Sequence, residues 1–430
     1  MSSKSATPSP YVVCKFGGTS VATPEGRAAM IERVRAHLNA GRLPVVVVSA
    51  MGRRGAPYAT DTLLDLVADL PDDAREHDKL ASIGESISSV LIAHEFRGAG
   101  IPAHAFTGAE AGIVTNDTAG NASIVSICPA ALINAAKKGI TPVVCGFQGI
   151  SESGHTTTLG RGGSDTTACA LGVALDAQAI EIYSDVDGVM TADPRTVKEA
   201  RVINTLAADE LFQLCRMGSR IVHTPAAELA LESGVALLVK NTFSDHPGTK
   251  VCDIAAYHNT KTATAVTCLS DLVRFKVDLK AQEGELAHVA NQAAVYDRIA
   301  QTGVSLDMFT PSDTHLYFMV PAGEAPTVRA LLENMDYQCT EGFAKVTVVG
   351  AGMHGQPGVM AQVAQALTDA HIDIKQTADS HTTISVLIRQ THAEQAQEVL
   401  HRAFKLSPFV VLDSDPRSRE AKSSAKADKD

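Results

Sequence analysis

The chain has 430 residues, of which 45% are hydrophobic and 20% are charged, with a formal net charge of −11. This composition is typical of a folded globular protein, and at about 100 to 200 residues per domain the length predicts two or three cores. The negative charge argues against nucleic acid and against an anionic membrane surface as partners. No apolar run reaches the roughly 18 residues of a membrane span, and the N-terminus lacks a hydrophobic signal-peptide core, so we expect a cytoplasmic location.

The first half of the chain alternates short β-branched runs with helical patterns. Strands are predicted at residues 11–16, 44–49, 141–147 and 179–184. This alternation predicts an α/β domain with a mostly parallel, buried sheet over residues 11–250. The Ser/Pro-rich residues 1–10 and the charged residues 413–430 are predicted to be disordered ends.

The eight cysteines show no C-x-x-C motif and no short Cys/His cluster with zinc-site spacing. A disulfide or zinc framework is therefore not expected. Several cysteines, such as Cys145, stand in apolar runs, where a free cysteine behaves as a small hydrophobic residue.

A glycine loop follows the first predicted strand, which runs through Lys15 into Gly17 and Gly18. Adjacent glycines let backbone N–H groups approach phosphate oxygens, and the lysine adds a mobile positive charge, so the loop suits a triphosphate. A tight turn beside a surface lysine explains the same residues equally well. The loop is not of the Walker type, because no G-x-x-x-x-G-K-[ST] motif occurs in the chain.

A second glycine cluster, at residues 158–167, has three glycines around Arg161 and precedes an alanine-rich run that predicts a buried helix. We expect Ser164 or Asp165 to cap this helix, whose N-terminus would form an anion site. Arg161 could grip a carboxylate or phosphate with its two-pronged guanidinium. A structural capping turn alone would explain Ser164 and Asp165 but not three glycines with an arginine between them.

Two further features carry acidic residues. Residues 183–195 contain the end of a predicted strand and the acidic loop that follows it. This loop would lie at the edge where α/β sheets bind ligands, although part of it is also typical of a solvated turn. Glu85 follows Gly84 inside a helical stretch, and taken alone it is more typical of an exposed glutamate on a helix surface.

The second half of the chain contains a repeat, because residues 304–320 align with residues 372–388 at one offset, 372 − 304 = 68. Helical stretches flank both copies, which predicts two ferredoxin-like strand–helix–strand–strand–helix–strand units in tandem, at residues 265–338 and 339–412. The G-x-G-x-x-G string at residues 350–355 could mark a dinucleotide site. Only about 80 residues follow it, too few for a two-half dinucleotide fold, so we assign it to the second unit.

In chain order, the strings KFGGTS, SAM, GE, GRGGSDTT and SDVDGVMTADPR resemble the signature set of the aspartate kinases within the amino-acid kinase family, over about residues 12–412. The string SAMGRRGAPYATDTLL is most similar to the single-function, diaminopimelate-inhibited type. The resemblance implies an amino-acid-kinase α/β fold followed by two ACT units. It also implies ATP-dependent phosphorylation of the L-aspartate side chain to 4-phospho-L-aspartate, the first step toward diaminopimelate and lysine, threonine and methionine. Mg²⁺ is expected to be bound chiefly by ATP oxygens, with no site made by protein side chains alone.

The resemblance implies roles for individual residues. Lys15 would stabilise charge on the transferring phosphoryl group, and Asp165 would position Lys15. The implied ATP-binding residues are Lys15, Gly17, Gly18, Ser184, Asp185, Met190, Arg195 and Arg220. The implied aspartate-binding residues are Thr19, Ser20, Ser49, Thr60, Glu85, Arg161, Gly163 and Ser164. Glu85 would face the amino group and Arg161 the α-carboxylate. Met190 and Arg220 stand where the family more often has tyrosine and lysine, so nucleotide contacts there stay open.

The resemblance further implies a homodimer or higher homo-oligomer and an amino-acid effector between paired ACT units, either diaminopimelate, lysine or threonine. The candidate effector residues are Met353, Gly358, Val359, Asp373, Ile374, Gln376, Ser305 and Asp307. Two alternatives stay open. The first is another kinase of the same family, acting on glutamate, carbamate or a nucleoside monophosphate, and the second is a catalytically inactive amino-acid sensor.

Overall fold

The computed structural model describes residues 9–69, 73–219, 222–252, 261–279, 285–312, 314–353 and 355–407, without the side chains of residues 224–226 and 285–292. The predicted disordered tail at 413–430, and all but two residues of the predicted disordered N-terminus, lie outside these ranges. Within the described ranges, no helix combines the length and the apolar character needed to cross a lipid bilayer.

In the described part of its first half, the chain is built on twelve strands. They are β1 (Tyr11–Phe16), β2 (Leu43–Val48), β3 (Ala103–Phe106), β4 (Ile113–Thr115), β5 (Ile124–Ile127), β6 (Thr141–Cys145), β7 (Gln148–Ser151), β8 (Thr156–Thr158), β9 (Ala179–Ser184), β10 (Thr205–Ala207), β11 (Ala236–Asn241) and β12 (Thr249–Cys252). Eight of them form one sheet in the order β10-β12-β11-β9-β1-β2-β6-β3, and β5-β4-β7-β8 form a smaller sheet. Every pairing in the large sheet is parallel except β11 with β12, which confirms the predicted mostly parallel sheet.

Eight helices accompany these strands. They are α1 (Gly18–Ala22), α2 (Pro24–Asn39), α3 (Thr60–Leu64), α4 (Ala74–Gly98), α5 (Ala130–Lys137), α6 (Gly163–Ala174), α7 (Ala208–Arg216) and α8 (Thr224–Glu232). Helices α2 and α4 bury side chains such as Met30 and Phe96 on one face of the large sheet. Helices α5, α6 and α8 cover the other face, where Leu171 packs against the sheet core. The sheet is therefore buried on both sides, which explains why its strands read as continuous β-branched runs.

The second half of the chain forms one six-stranded sheet with four helices. These elements are β13 (Ala265–Asp278), α9 (Glu285–Ala300), β14 (Asp307–Pro311), β15 (His315–Pro321), α10 (Ala325–Leu331), β16 (Tyr337–Val349), α11 (Val359–Asp369), β17 (Gln376–Asp379), β18 (Thr383–Arg389) and α12 (Ala393–Ala403). The strand order is β14-β15-β13-β16-β18-β17. The strands β15 and β18 lie at the predicted offset of 68 residues, since 383 − 315 = 68.

The two ferredoxin-like units are interlocked rather than strictly in tandem. Strand β13 changes register between Leu269 and Leu272, where Asp271 has a φ of +59°. Its second half is the first strand of the first unit, whereas its first half pairs with the end of β16 and completes the second unit. Strand β16 is shared in the same way. The expectation of two consecutive units is therefore wrong in this respect, because the long strands β13 and β16 each serve both units.

Candidate active site

The candidate site lies at the carboxyl ends of β1, β2, β6 and β9, where the loops after β1 and β2 meet. Helix α1 begins at Gly18, directly after β1. A Cβ atom on Gly18 would lie 2.7 Å from the Ala50 carbonyl oxygen and 2.8 Å from that of Gly52. Such close backbone approach requires glycine at this position. The Gly17 N–H donates to the Tyr183 carbonyl at 3.4 Å, so the loop is also tied to β9.

Lys15 and Asp165 form an ion pair beneath this loop. Lys15 Nζ lies 2.8 Å from Asp165 Oδ1, and both side chains are almost fully shielded from solvent. The second carboxylate oxygen of Asp165 accepts the His223 backbone N–H at 3.0 Å. Asp165 therefore connects the first turn of α6 to the start of α8 while it orients Lys15.

The predicted cap of helix α6 is wrong. The helix begins at Gly163, with Gly162 as the N-cap residue at a φ of +74° and no side-chain cap. Asp165 lies inside the first turn, and its carboxylate is engaged by Lys15 and His223 instead. Ser164 is buried, and a Cβ atom on Gly146 would lie 2.7 Å from its hydroxyl oxygen. Arg161, which precedes Gly162, is exposed at the mouth of the site.

Glu85 is buried rather than exposed on a helix surface, as its sequence context alone had suggested. The residue is 3% exposed on α4, and its Oε1 accepts the Ala50 N–H at 3.0 Å. Its Oε2 is buried without a hydrogen-bond partner within the described part of the chain. Burial raises the pKa of Glu85 to about 8, against the lowering effect of the Ala50 hydrogen bond. A buried oxygen without a hydrogen-bond partner is costly, so Glu85 Oε2 is suited to bind a ligand.

The other predicted aspartate-binding side chains lie on the segments after β1 and β2 and on α3. Thr19 lies on α1, Ser49 follows β2, and Thr60 is the first residue of α3, all partly buried. Ser20 is fully buried, and its hydroxyl lies 2.7 Å from the hydroxyl of Thr242, so it is occupied within the protein.

The other predicted nucleotide-binding residues in the described part of the chain lie at the end of β9 or after it. Ser184 ends the strand, and the exposed Asp185 lies 3.9 Å from Arg53. Met190 pairs with Val202 in an isolated bridge. Arg195 is exposed, and its guanidinium binds Asp193 at 2.7 Å, so it does not reach into the site here. Arg220 lies outside the described residues.

Cys14, His37 and Glu181 form a buried polar cluster where α2 packs on the large sheet. The atoms with which these side chains could bind a metal ion lie within 4.8 Å of one another. Glu181 Oε2 already contacts His37 Nε2 at 3.0 Å and Lys240 Nζ at 3.4 Å. Burial alone would raise the pKa of Glu181. The hydrogen bond to His37, the charge of His37 and the charge of Lys240 instead lower this pKa to about 2. We interpret this group as an ion-pair network, since a cationic lysine already neutralises the carboxylate.

Sequence reasoning missed residues whose partners come from distant segments. Asp78, Thr191 and His223 were not predicted, although Asp78 and His223 contact segments that carry candidate site residues and Thr191 is next to Met190. For Asp78, the available sequence signal was its spacing of seven residues from Glu85 on the same predicted helix. For Thr191 the available signal was its place in the SDVDGVMTADPR string, whereas for His223 the sequence contains no comparable signal.

The chain matches the model of the amino acid kinase family over residues 10–241 and that of an ACT domain over residues 338–402. It is 39% identical over 408 residues to aspartokinase 1 of Bacillus subtilis (strain 168), covering 92% of this chain and 99% of that protein. Its fold is similar to that of E. coli aspartokinase III solved with aspartate and ADP, at a TM-score of 0.75 and 24% identity over 91% of this chain and 99% of that one. The same enzyme solved with lysine and aspartate gives a TM-score of 0.71 and 25% identity, over 92% and 100% of the two chains.

The fold and the first match make the chain a member of the amino acid kinase family. Within that family, the chain belongs to the aspartokinases.

Proposed function

We propose that this protein transfers the γ-phosphoryl group of ATP to the side-chain carboxylate of L-aspartate and so forms 4-phospho-L-aspartate. The observation that carries the proposal is the buried Lys15–Asp165 pair, 2.8 Å long, between the two glycine loops of an aspartokinase fold. A shielded cation beside backbone N–H groups suits the charge that develops on a transferring phosphoryl group. Relatives named aspartokinase, and a related structure solved with aspartate and ADP, support this reaction.

The chemistry needs no general base. An aspartate side chain has a pKa of about 3.9, so its carboxylate is an anionic nucleophile at neutral pH. The protein therefore has to align the carboxylate with the γ-phosphorus and to neutralise the phosphate charge. Asp165 holds Lys15 in place for the second task, and Gly17, whose Cβ position would lie 3.7 Å from Lys15 Nζ, is assigned with Gly18 to the phosphates.

Mg²⁺ fits the nucleotide side of this site. The oxygen donors there, Ser184 and Asp185, stand at a strand end, and the Asp185 side chain is 53% exposed. In the same loop Asp187 binds Asn241 and Ser244, and Asp193 binds Arg195, so few carboxylates remain for an ion at this open edge. This suits an ion that keeps most of its ligands from phosphates and water. When bound with ATP, the ion would supply further neutralisation of the phosphate charge.

The two ends of the aspartate substrate are assigned to different elements. Glu85 is a buried acceptor with a free oxygen, suited to the substrate ammonium group. Arg161, exposed between Gly160 and Gly162, suits the α-carboxylate. Thr19, Ser49 and Thr60 would line the space between them. Glutamate, one methylene longer, is the nearest competing substrate.

The second half of the chain is proposed to sense an amino acid. We assign residues 11–250 to the kinase domain and residues 265–338 and 339–412 to two ACT units, with β13 and β16 shared between them. The edge strands β14 and β17 come together where the Gln376 side chain donates to the Met308 carbonyl and to Thr310 Oγ1, the latter at 2.7 Å. Asp307 pairs there with the buried Lys345.

The other candidate effector residues lie nearby or in the second unit. Met353 and Val359 are buried at the start of α11, with Gly358 as its N-cap at a φ of +90°. Asp373 pairs with Lys375, Ile374 is partly buried, and Ser305 is exposed. We propose that diaminopimelate, lysine or threonine binds at this surface in a homodimer or larger homo-oligomer. A cytoplasmic location follows from the substrates, ATP and aspartate.

The test is an aspartate-dependent ATP-consumption assay with Mg²⁺, run on the wild-type chain, Lys15→Ala and the control Lys79→Ala. Lys79 is an exposed lysine on α4 that pairs with Glu76, so its removal should leave turnover unchanged. Loss of Lys15 should lower kcat by at least about 100-fold, the scale expected for a group that stabilises transition-state charge. Lysine, threonine and diaminopimelate are then added in turn.

A folded protein that binds ADP but shows no aspartate-dependent turnover would overturn the substrate assignment. The same preparation is therefore assayed with glutamate, carbamate and nucleoside monophosphates. Turnover with one of these would identify a different kinase of the family, and turnover with none of them would favour an inactive amino-acid sensor.

A further inference from the structure

Helix α4 carries two buried carboxylates on one face. Asp78 is 2% exposed and Glu85 is 3% exposed, and their spacing of seven positions is about two helical turns. Glu85 faces the candidate aspartate site through Ala50. Asp78 has no part in the reaction proposed above, so its burial needs another explanation.

Within the described residues, the donors to Asp78 come from the loop at Gly120 and from the end of β8. The Gly120 N–H lies 3.0 and 3.1 Å from its two carboxylate oxygens, and the Thr158 N–H donates to Oδ2 at 3.1 Å. The Thr158 hydroxyl donates to Oδ1. No lysine or arginine pairs with Asp78 among the residues that the structure describes. A buried carboxylate compensated only by such donors is costly to disturb, so these bonds fix both loops on α4.

These two loops support Arg161. Thr158 is the last residue of β8, three residues before Arg161, and its carbonyl accepts the Ala122 N–H at 2.8 Å. Gly160 has a φ of +70°, and a Cβ atom there would lie 2.6 Å from the Asn121 side-chain oxygen. The segments 120–122 and 158–160 therefore pack against each other. Asp78 is hydrogen-bonded to both segments, through Gly120 and Thr158, and so holds both on α4.

We propose that Asp78 is a positioning residue for Arg161 and thereby sets the length of the amino acid that the site accepts. One rigid helix then fixes both ends of the substrate: Glu85 at the amino group and, through Asp78 and Thr158, Arg161 at the α-carboxylate. This inference rests on the proposed function, because it uses the roles given there to Glu85 and Arg161. The inference adds Asp78 to the residues that determine aspartate binding, although Asp78 itself makes no contact with the substrate.

The experiment compares Asp78→Asn, Arg161→Ala and the double variant in the aspartate-dependent assay. The amide of Asp78→Asn cannot accept all of the donors, so the Arg161 loop should loosen. We expect the KM for aspartate to rise about tenfold or more while kcat and the KM for ATP stay within about twofold, as for lost positioning of one substrate. The double variant should be no worse than Arg161→Ala, because both changes remove the same interaction. Relative turnover of glutamate should rise in Asp78→Asn.

Two further variants guard against a general folding defect. Thr158→Val removes the hydroxyl donor at constant shape, whereas Thr158→Ser keeps it, so the first should raise the KM for aspartate and the second should not. Glu210→Gln is the matched control, since Glu210 is a fully buried carboxylate that accepts the Ala351 N–H and the Thr264 hydroxyl elsewhere in the chain. It should leave the KM for aspartate unchanged.

Equal rises in the KM for aspartate and for ATP, or additive effects in the double variant, would show that Asp78 is structural only and would overturn the inference. A normal KM in both Asp78→Asn and Thr158→Val, beside a raised KM in Arg161→Ala, would overturn it too and leave the proposed function intact. Absence of aspartate-dependent turnover in the wild type would overturn the proposed function itself.

Discussion

At the scale of single residues, the protonation state of Glu85 is the most consequential feature of the site. Burial raises its pKa to about 8, so in the free protein at neutral pH the side chain is mostly protonated. A carboxylate that pairs with the substrate ammonium group must be ionised. Binding of aspartate is therefore expected to release a proton from Glu85.

This coupling predicts a pH-dependent KM. Between pH 6 and 8 the ionised fraction of Glu85 rises with pH, by up to about tenfold per unit below the pKa, and the KM for aspartate should fall accordingly. Steady-state kinetics at saturating ATP and several pH values measure this. In Glu85→Gln the KM should be high and should not vary with pH beyond the titration of ATP. A pH-independent KM in the wild type would contradict the prediction.

The same group predicts a pH-dependent stability. The folded pKa of about 8 lies above the ordinary glutamate value of 4.5, so the folded state binds the proton more tightly than the unfolded state. The contribution of Glu85 to stability is therefore full below about pH 4.5 and is lost as pH rises through 8. Relative to the wild type, Glu85→Gln should gain up to about 1.4 kcal/mol in free energy of unfolding per pH unit over this window. Urea unfolding at pH 5 and pH 8.5 tests the sign, and no change in the difference would contradict it.

At the scale of elements, the contact between the loops after β1 and β2 shapes the phosphate side of the site. Gly18→Ala would place a methyl group 2.7 Å from the Ala50 carbonyl oxygen, and this neighbour is backbone that cannot turn away. We expect the loop to shift and both ADP affinity and kcat to fall by about tenfold or more, the scale of a displaced catalytic loop. Isothermal titration with ADP and the kinase assay measure the two effects.

Gly98→Ala is the matched control for this change. Gly98 is the last residue of α4, and a Cβ atom there meets nothing within 4 Å. Alanine in a helix is favoured over glycine by about 1 kcal/mol, so this variant should be as stable as the wild type or slightly more so, with normal activity. Equal losses in both variants would mean that the close approach at Gly18 is not responsible.

The sequence predicts elements better than it predicts their partners. Strands β1 and β9 match their predicted bounds, and the repeat offset of 68 residues locates β15 and β18, because periodicity and β-branched runs are local signals. The bend in β13 and the left-handed N-cap at Gly162 were missed, since both depend on what packs against them. Glu85 was judged exposed when considered alone, because its burial comes from Ala50, 35 residues away. Asp78 was missed for the same reason: its donors lie 42 and 80 residues along the chain.

At the scale of the whole molecule, the nucleotide loop and the second ACT unit are hydrogen-bonded directly. Thr191, next to the predicted nucleotide residue Met190, accepts the Val266 N–H of β13 at 2.8 Å through its carbonyl. Its hydroxyl lies 2.9 Å from Nε2 of His401 on α12. Burial lowers the pKa of His401, which is fully enclosed, so the imidazole is neutral at pH 7. A shift of α12 on effector binding is therefore expected to move the nucleotide loop.

His401→Leu should weaken this coupling. Leucine keeps the buried volume apolar, and Thr191 retains the Arg201 N–H as a donor at 3.1 Å, so the loop should stay folded and turnover should persist. We expect the effector concentration that gives the half-maximal change in activity to rise about fivefold, the low end of usual coupling free energies. Dose–response curves with lysine, threonine and diaminopimelate measure it. Gln397→Leu, one turn earlier on α12, removes a hydrogen bond to Ala393 within the same helix and should leave inhibition unchanged. If both variants respond as the wild type does, the His401–Thr191 contact does not carry the signal. Other hydrogen bonds between the two halves, such as those of Glu210 to Thr264 and Ala351 or that of Thr267 to the Met217 carbonyl, then become the candidates.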